Sequence, residues 1–273
     1  MIASLGMYDF GAAAAVNDRL WSLIRDGLLA RGIDAPKALT RGEGAYWQAW
    51  QSPDLILSQT CGYPFRARLH PSVTYVGTPD FGVEGCDPGH YRSVFVARAD
   101  DKRSTVRDFD GARLAYNEAL SQSGWAAPQT HAADLGIRLC PALQTGAHQL
   151  SARAVAEGRA DLAALDAVTF RLLQAEDPGM ARLKPVGLTP PTPGLPYITG
   201  PGRDPAPIFA ALAAAIAALA PRDRAILGLK GILRIPVEAY LSVPNPPPPE
   251  QIAASCKADR PSRPAETADS PLH

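Results

Sequence analysis

The sequence predicts an α/β fold built as two lobes around a central ligand cleft. Three observations carry this. Strand-like and helix-like segments alternate from residue 2 to about 240, as expected of sheets covered by helices. Two connections rich in Gly, Pro and Asp, PDFGVEGCDPGHY (79–91) and GLTPPTPGLPYITGPGRDP (187–205), break the alternation. They bracket a central block with strands and helices of its own, so the flanks must meet as one lobe and the block must form the other. The expected units are 1–90 with 187–243, then 91–186, joined by two crossovers and followed by a tail, 244–273.

Each element has its own warrant. IASLGMY reads as a strand. In AVNDRLWSLIRDGLLARG, Leu20, Leu23, Ile24 and Leu28 form a helical stripe and Gly32 supplies the stop. DLILS (54–58) and SVTYVG (72–77) are short apolar strands, and RSVFVAR (92–98) adds β-branched and aromatic residues. GARLAYN (111–117), GIRLC (136–140), ADLAAL (160–165) and ARLKPVG (181–187) continue the strand series. Segments near 121–135, 146–157 and 167–176 read as helices between them, an arrangement that predicts largely parallel sheets. PIFAALAAAIAALAP (207–221) is alanine-heavy and too short to span a bilayer, so it is expected as a packed helix. From 244 onward the chain is proline-rich with little apolar content, and is expected to be disordered or extended.

Composition removes several function classes. The 273 residues carry 27 Lys plus Arg and 27 Asp plus Glu, a net charge of zero, so nothing suggests capture of nucleic acid or an anionic membrane. No apolar run reaches transmembrane length. The start, MIASLGMYDFG, lacks a basic n-region and carries Asp9, so it does not read as a secretory signal. The chain as given is then cytoplasmic, unless a signal has been removed or the start lies upstream. The five histidines show no metal-ligand spacing and no C-x-x-C pair exists, so neither metal nor cofactor is expected.

Three stretches carry candidate chemistry. NEALSQSGW (117–125) follows the apolar run GARLAY and leads into a helix. A helix start leaves backbone N–H groups unpaired and carries partial positive charge, so an anion fits there without a lysine. Asn117, Ser121, Gln122 and Ser123 add polar groups, and Gly124 permits close backbone approach. The plainer reading is that Ser121 or Ser123 only caps the helix. TGAHQLSARAVAEGRADLAALD (145–166) puts Thr145, Gly146 and His148 at a second helix start, and Asp166 at the carboxyl end of a strand. The plainer readings, favoured for His148 taken alone, are a partly exposed first-turn histidine and, for Asp166, a cap of the helix beginning AVTFRLL. SQTCGYPF (58–65) sets Gln59, Thr60 and Tyr63 on a strand-to-helix turn, against an ordinary turn held by Gly62 and Pro64. Tyr8, Tyr91 and Tyr197 fall at strand ends or crossovers, where core or rim positions are the alternative. No G-x-S-x-G, Walker A or H-E-x-x-H motif appears. Composition permits a Ser123–His148–Asp166 triad, but no sequence feature supports one.

In order and spacing, DLILSQTCGYPF, YRSVFVAR, DFDGARLAYNEALSQSGW and TGAHQLSARAVAEGRADLAALD resemble the phosphate/phosphonate-type substrate-binding proteins of ABC transporters, within the type II periplasmic binding protein fold. The resemblance covers roughly residues 2 to 240. It implies two lobes closing on a small anionic ligand, with Ser121, Ser123 and Gly124 holding the anion and Thr145, Gly146, His148 and Asp166 as later counterparts. It also implies a periplasmic location and an ABC permease as partner. The family's serine loop often reads S-T-S-G, and here Gln122 takes the middle place. A competing expectation is a cytoplasmic enzyme on the same scaffold, using the cleft for lyase or dehydratase chemistry. A third is an interaction protein whose tail recruits a partner. Cys61 and Cys86 sit in turn-rich loops, as free thiols or, if the protein is exported, as an expected disulfide.

Overall fold

The computed structural model describes residues 1–258. Its strands, in chain order, are β1 Ile2–Ser4, β2 Leu55–Gln59, β3 Thr74–Asp80, β4 His90–Tyr91, β5 Ser93–Arg98 and β6 Ala112–Tyr116. They continue as β7 Leu139–Gln144, β8 Leu162–Asp166, β9 Leu183–Leu188, β10 Thr192–Pro193, β11 Tyr197–Thr199 and β12 Gly231–Leu233. One five-stranded sheet runs β1-β2-β11-β3-β12 and a second runs β7-β6-β8-β5-β9. The first draws on both ends of the chain and the second on its middle, giving the two-lobed α/β architecture. The two connections pair with each other, β4 against β10, with Tyr91 opposite Thr192.

The sheets are mixed, which corrects the expectation of largely parallel pairing. β1–β2, β6–β7 and β6–β8 are parallel. β11 runs antiparallel to β2 and β3, β12 to β3, and β5 to β8 and β9. The cause is topological. β5 enters the second sheet directly from the first lobe and β11 re-enters the first from the second, so neither arrives through a βαβ crossover.

The helix Gly11–Leu29 buries Val16, Leu20, Trp21, Ile24 and Leu28, one stripe at helical spacing. It packs against Pro205–Ala218, where Gly27 faces Ala211 and a Cβ would meet the alanine methyl at 3.3 Å. GIRLC contributes only its last two residues to a strand, because Gly136 turns the chain at φ +69° and β7 begins at Leu139. The helix expected from 146 begins at His148, since Gly146 sits at φ +85°.

Two further expectations are corrected. The tail is ordered as far as it is described: Pro249–Ala258 is a helix packed on β7, and Ile252 packs against the core of the second lobe. Residues 259–273, the rest of the expected disordered tail, lie outside the described residues. Cys61 and Cys86 are both free thiols, and the disulfide joins Cys140 of β7 to Cys256 of this last helix. Shared turn context did not bring Cys61 and Cys86 together. Cys61 faces the inter-lobe seam, whereas Cys86 lies beside Arg92, whose Nε donates to its sulfur at 3.2 Å.

Candidate functional site

The seam between the lobes is built from strand ends and the helices they feed. β6 ends at Tyr116, and the chain turns through Asn117 into a π-wound helical turn, Gln122–Ala126, before the helix Ala127–Asp134. Ser121 is the cap: its Oγ accepts the Gly124 N–H at 3.0 Å. Its carbonyl accepts from Ala126 N at 2.9 Å, the i to i+5 spacing of a π turn. Ser123 does not cap. Its hydroxyl is 2.8 Å from His148 Nε2, and its carbonyl accepts from Ser93 Oγ at 2.9 Å. Of the two serines, Ser121 thus takes the capping role, and Ser123 turns its hydroxyl to His148 instead. Gly124 is required by close approach, since a Cβ there would lie 1.9 Å from Asn117 Oδ1.

From the first lobe, β2 delivers Gln59 and Thr60, followed by Cys61 and a helical turn from Gly62. Cys61 Sγ accepts the Gln122 N–H at 3.2 Å, joining the two helix starts across the seam. Arg66 Nη1 donates to Gln122 Oε1 at 2.7 Å, and its guanidinium stacks over the Tyr63 ring at 4.5 Å. Tyr63 packs with the core of the second lobe, so it also bridges. Tyr8 donates to Asp166 Oδ2 at 2.9 Å. The other carboxylate oxygen of Asp166 accepts from Val168 N at 2.7 Å and Thr169 N at 3.1 Å, so this residue caps its helix and spans the seam together. Away from the seam's centre, Glu176 Oε1 accepts from Ala12 N at 2.8 Å and Arg171 donates to Leu227 O at 2.5 Å. The lobes are closed on each other.

Burial sets the charges. The Asp166 carboxyl is raised to about 6 by desolvation, and the His148 ring is lowered to about 4 for the same reason. Burial raises the Cys61 thiol and holds the Tyr8 and Tyr91 phenols well above their ordinary value, while it lowers Arg66. At neutral pH the seam thus holds a thiol, neutral phenols, a neutral imidazole, a carboxylate and one guanidinium. Ser123, His148 and Asp166 do not assemble as a triad. Among the described residues His148 Nδ1 meets no carboxylate, and both Asp166 oxygens are engaged elsewhere.

The remaining sequence candidates separate. Gln59 is buried opposite Tyr197 in the β2–β11 register, and its Nε2 donates to Leu195 O at 3.3 Å. Tyr197 belongs to the first lobe's core, as does Tyr8, whose ring meets Phe81 edge-on. Thr145 spends its hydroxyl locally, on Tyr116 O, Ala147 O and Ser151 Oγ, and Gly146 is exposed. Arg66 was not among the expected residues. Its signal was present in CGYPFRARL, where it is the first cation one helical turn beyond Tyr63. Tyr91 was noticed only as a crossover aromatic; it is 3% exposed, and its hydroxyl has no hydrogen-bond partner.

Buried side-chain polar atoms without a partner concentrate here. Among the described residues they are Thr60 Oγ1, Tyr91 OH, Asn117 Oδ1, Gln122 Nε2, Trp125 Nε1 and His148 Nδ1, with Arg25 Nε alone in the first helix. No group of three or more His, Cys, Asp or Glu gathers among the described residues in a way that would hold a metal.

A family model, ABC transporter, phosphonate, periplasmic substrate-binding protein, matches residues 66–235. The chain belongs to this family. Membership makes it a substrate-binding protein of the transport type rather than an enzyme, and the lyase or dehydratase alternative is not favoured. Solved structures agree on the fold. PhnD1 from Prochlorococcus marinus, in complex with methylphosphonate, is similar at TM-score 0.68 and 16% identity, over 94% of this chain and 98% of that one. XAC2383 from Xanthomonas citri, bound to chloride ion, is similar at TM-score 0.64 and 15% identity, over 94% and 96%. A binding protein component of an ABC phosphonate transporter from Pseudomonas aeruginosa is similar at TM-score 0.63 and 16% identity, over 94% and 93%. No curated protein matches the sequence.

Proposed function

We propose that this substrate-binding protein captures a small phosphonate- or phosphate-like anion between its lobes, at the helix start formed by Ser121–Gly124. The observation that carries this is the cluster of unpartnered buried polar atoms along the seam. Buried polar groups in folded proteins are nearly always hydrogen-bonded, so a concentration of exceptions in one inter-lobe site supports a ligand as the missing partner. Ser123 supplies its hydroxyl as the donor, since the N–H groups of Gln122, Gly124, Trp125 and Ala126 are already taken by Cys61 Sγ and by the side chain and carbonyl of Ser121. Neutral His148 supports the serine by exchanging a hydrogen bond with its hydroxyl. Asn117, Thr60 and Tyr91 complete a polar wall. Thr145 and Gly146 act one step back, holding the loop that presents His148.

The lobe units proposed are 1–90 with 187–243, and 91–186, hinged where β4 pairs with β10. Closure would form the Tyr8–Asp166, Cys61–Gln122 and Arg66–Gln122 contacts. The family places its members in the periplasm, and we propose the same compartment here, with an ABC permease as partner. Calorimetric titration with methylphosphonate and with inorganic phosphate tests the ligand class, alongside native mass spectrometry of the purified protein. One-to-one binding with the ligand recovered unchanged is expected. Failure of both anions to bind, or recovery of a converted product, would overturn the reading.

A further inference from the structure

We propose that Gln122 determines ligand specificity and that Arg66 is the residue positioning it. This rests on the cleft being an anion site. Gln122 is 2% exposed and is the first residue of the π turn. Its Oε1 accepts from Arg66 Nη1 at 2.7 Å. A guanidinium has donors only, so the amide has one permitted sense: the oxygen faces Arg66 and the NH2 faces away from it. That Nε2 is buried and has no hydrogen-bond partner among the described residues.

Arg66 is itself held in place. Its Nε donates to Asn245 Oδ1 at 2.8 Å, its Nη2 donates to Pro244 O at 2.9 Å, and its plane lies over Tyr63. None of these partners is a carboxylate, and Arg66 makes no ion pair among the described residues. The backbone of Gln122 is fixed as well, through its N–H to Cys61 Sγ. Thr60, whose hydroxyl is also unpartnered, is the residue before Cys61. The serine turn therefore presents an NH2 group of fixed sense in a buried seam. Such a group accepts nothing. It favours ligands that offer an acceptor oxygen at that point, an oxyanion above all, and rejects those that offer only a donor, such as an ammonium.

Four variants separate this from a packing role: Gln122→Glu, Arg66→Met, Gln122→Ala, and Arg66→Met combined with Gln122→Ala. Each is titrated with methylphosphonate and inorganic phosphate and melted in parallel. Gln122→Glu keeps the shape and the Arg66 contact but replaces the donor with a carboxylate oxygen. Affinity should fall at least about 10- to 100-fold with no loss of melting temperature. Arg66→Met should weaken binding by about 10-fold in the native background and hardly at all beside Gln122→Ala. A Gln122→Glu protein that binds like the native one overturns the proposal. An Arg66→Met loss of equal size in both backgrounds also overturns it, making Arg66 a direct charge partner. If neither anion binds the native protein, the anion reading fails, and the positioning role is decided by NMR of the ligand-free protein. Arg66→Met must then shift the Gln122 side-chain amide signals, and unmoved signals overturn it.

Discussion

Asp166 is buried and His148 half-buried at the seam, and they respond to pH with opposite sign. The Asp166 carboxyl sits at about 6 against an ordinary 3.8. Between those values the folded protein keeps a proton that the unfolded chain has lost, so stability falls as pH rises from about 4 to about 6. The His148 ring sits at about 4 against 6.5. The unfolded chain binds that proton first as pH drops, so this residue makes stability rise with pH over about 4 to 6.5. The two contributions, each on the order of 3 kcal/mol, nearly cancel in the native protein. Asp166→Asn should expose the rising slope and His148→Gln the falling one, read from urea unfolding at pH 4, 5, 6 and 7. Slopes of the same sign in both variants would show that burial does not control these groups.

At the scale of the element, the helix start after β6 separates stability from recognition within three residues. Ser121 caps the π turn, so Ser121→Ala should cost about 1 kcal/mol of stability. Ser123 caps nothing and bonds His148, so Ser123→Ala should weaken anion binding about 10- to 100-fold, its stability cost limited to the hydrogen bond that His148 Nε2 loses. Titration calorimetry and thermal melting of the two alanine variants check both halves. Equal affinity losses in both would mean that the turn's geometry, not the Ser123 hydroxyl, recognises the ligand. These roles were only half legible in the sequence. S-Q-S-G at a strand end marks a helix start, but nothing in the spacing says which serine turns inward.

Over the whole molecule, the C-terminal arm is a third link between the lobes. Tyr240 is buried in the first lobe, where its hydroxyl bonds Thr78 Oγ1 and Gly194 O. Cys256 is bonded to Cys140 on β7 of the second. The sequence separation is 116 residues, so losing the disulfide should cost about 4–5 kcal/mol on the chain-entropy model. Cys140→Ser with Cys256→Ser should lower the melting temperature and, in small-angle scattering, give a more open ligand-free protein. Native scattering and stability in the double variant would mean that the arm's packing alone secures it. Thiol counting on the unfolded, unreduced protein should find two free thiols, Cys61 and Cys86.

The sequence by itself determined the alternation of elements, the two Gly/Pro-rich crossovers and the helix start at Ser121–Gly124. Local propensity, hydrophobic period and turn chemistry are written in neighbouring residues, so these could be read without a fold. Tertiary structure alone decided the partners. Strand direction follows from where a crossover re-enters a sheet, which is why β5 and β11 run against expectation. Cys256 meets Cys140 because the last helix lies along β7, and no pairing rule read from loop context could supply that. Arg66 joins the site because Asn245 and Pro244 reach it from the far end of the chain. Contacts between residues so distant in sequence depend on the packing of whole lobes, and a linear pattern records the residues without recording which of them meet.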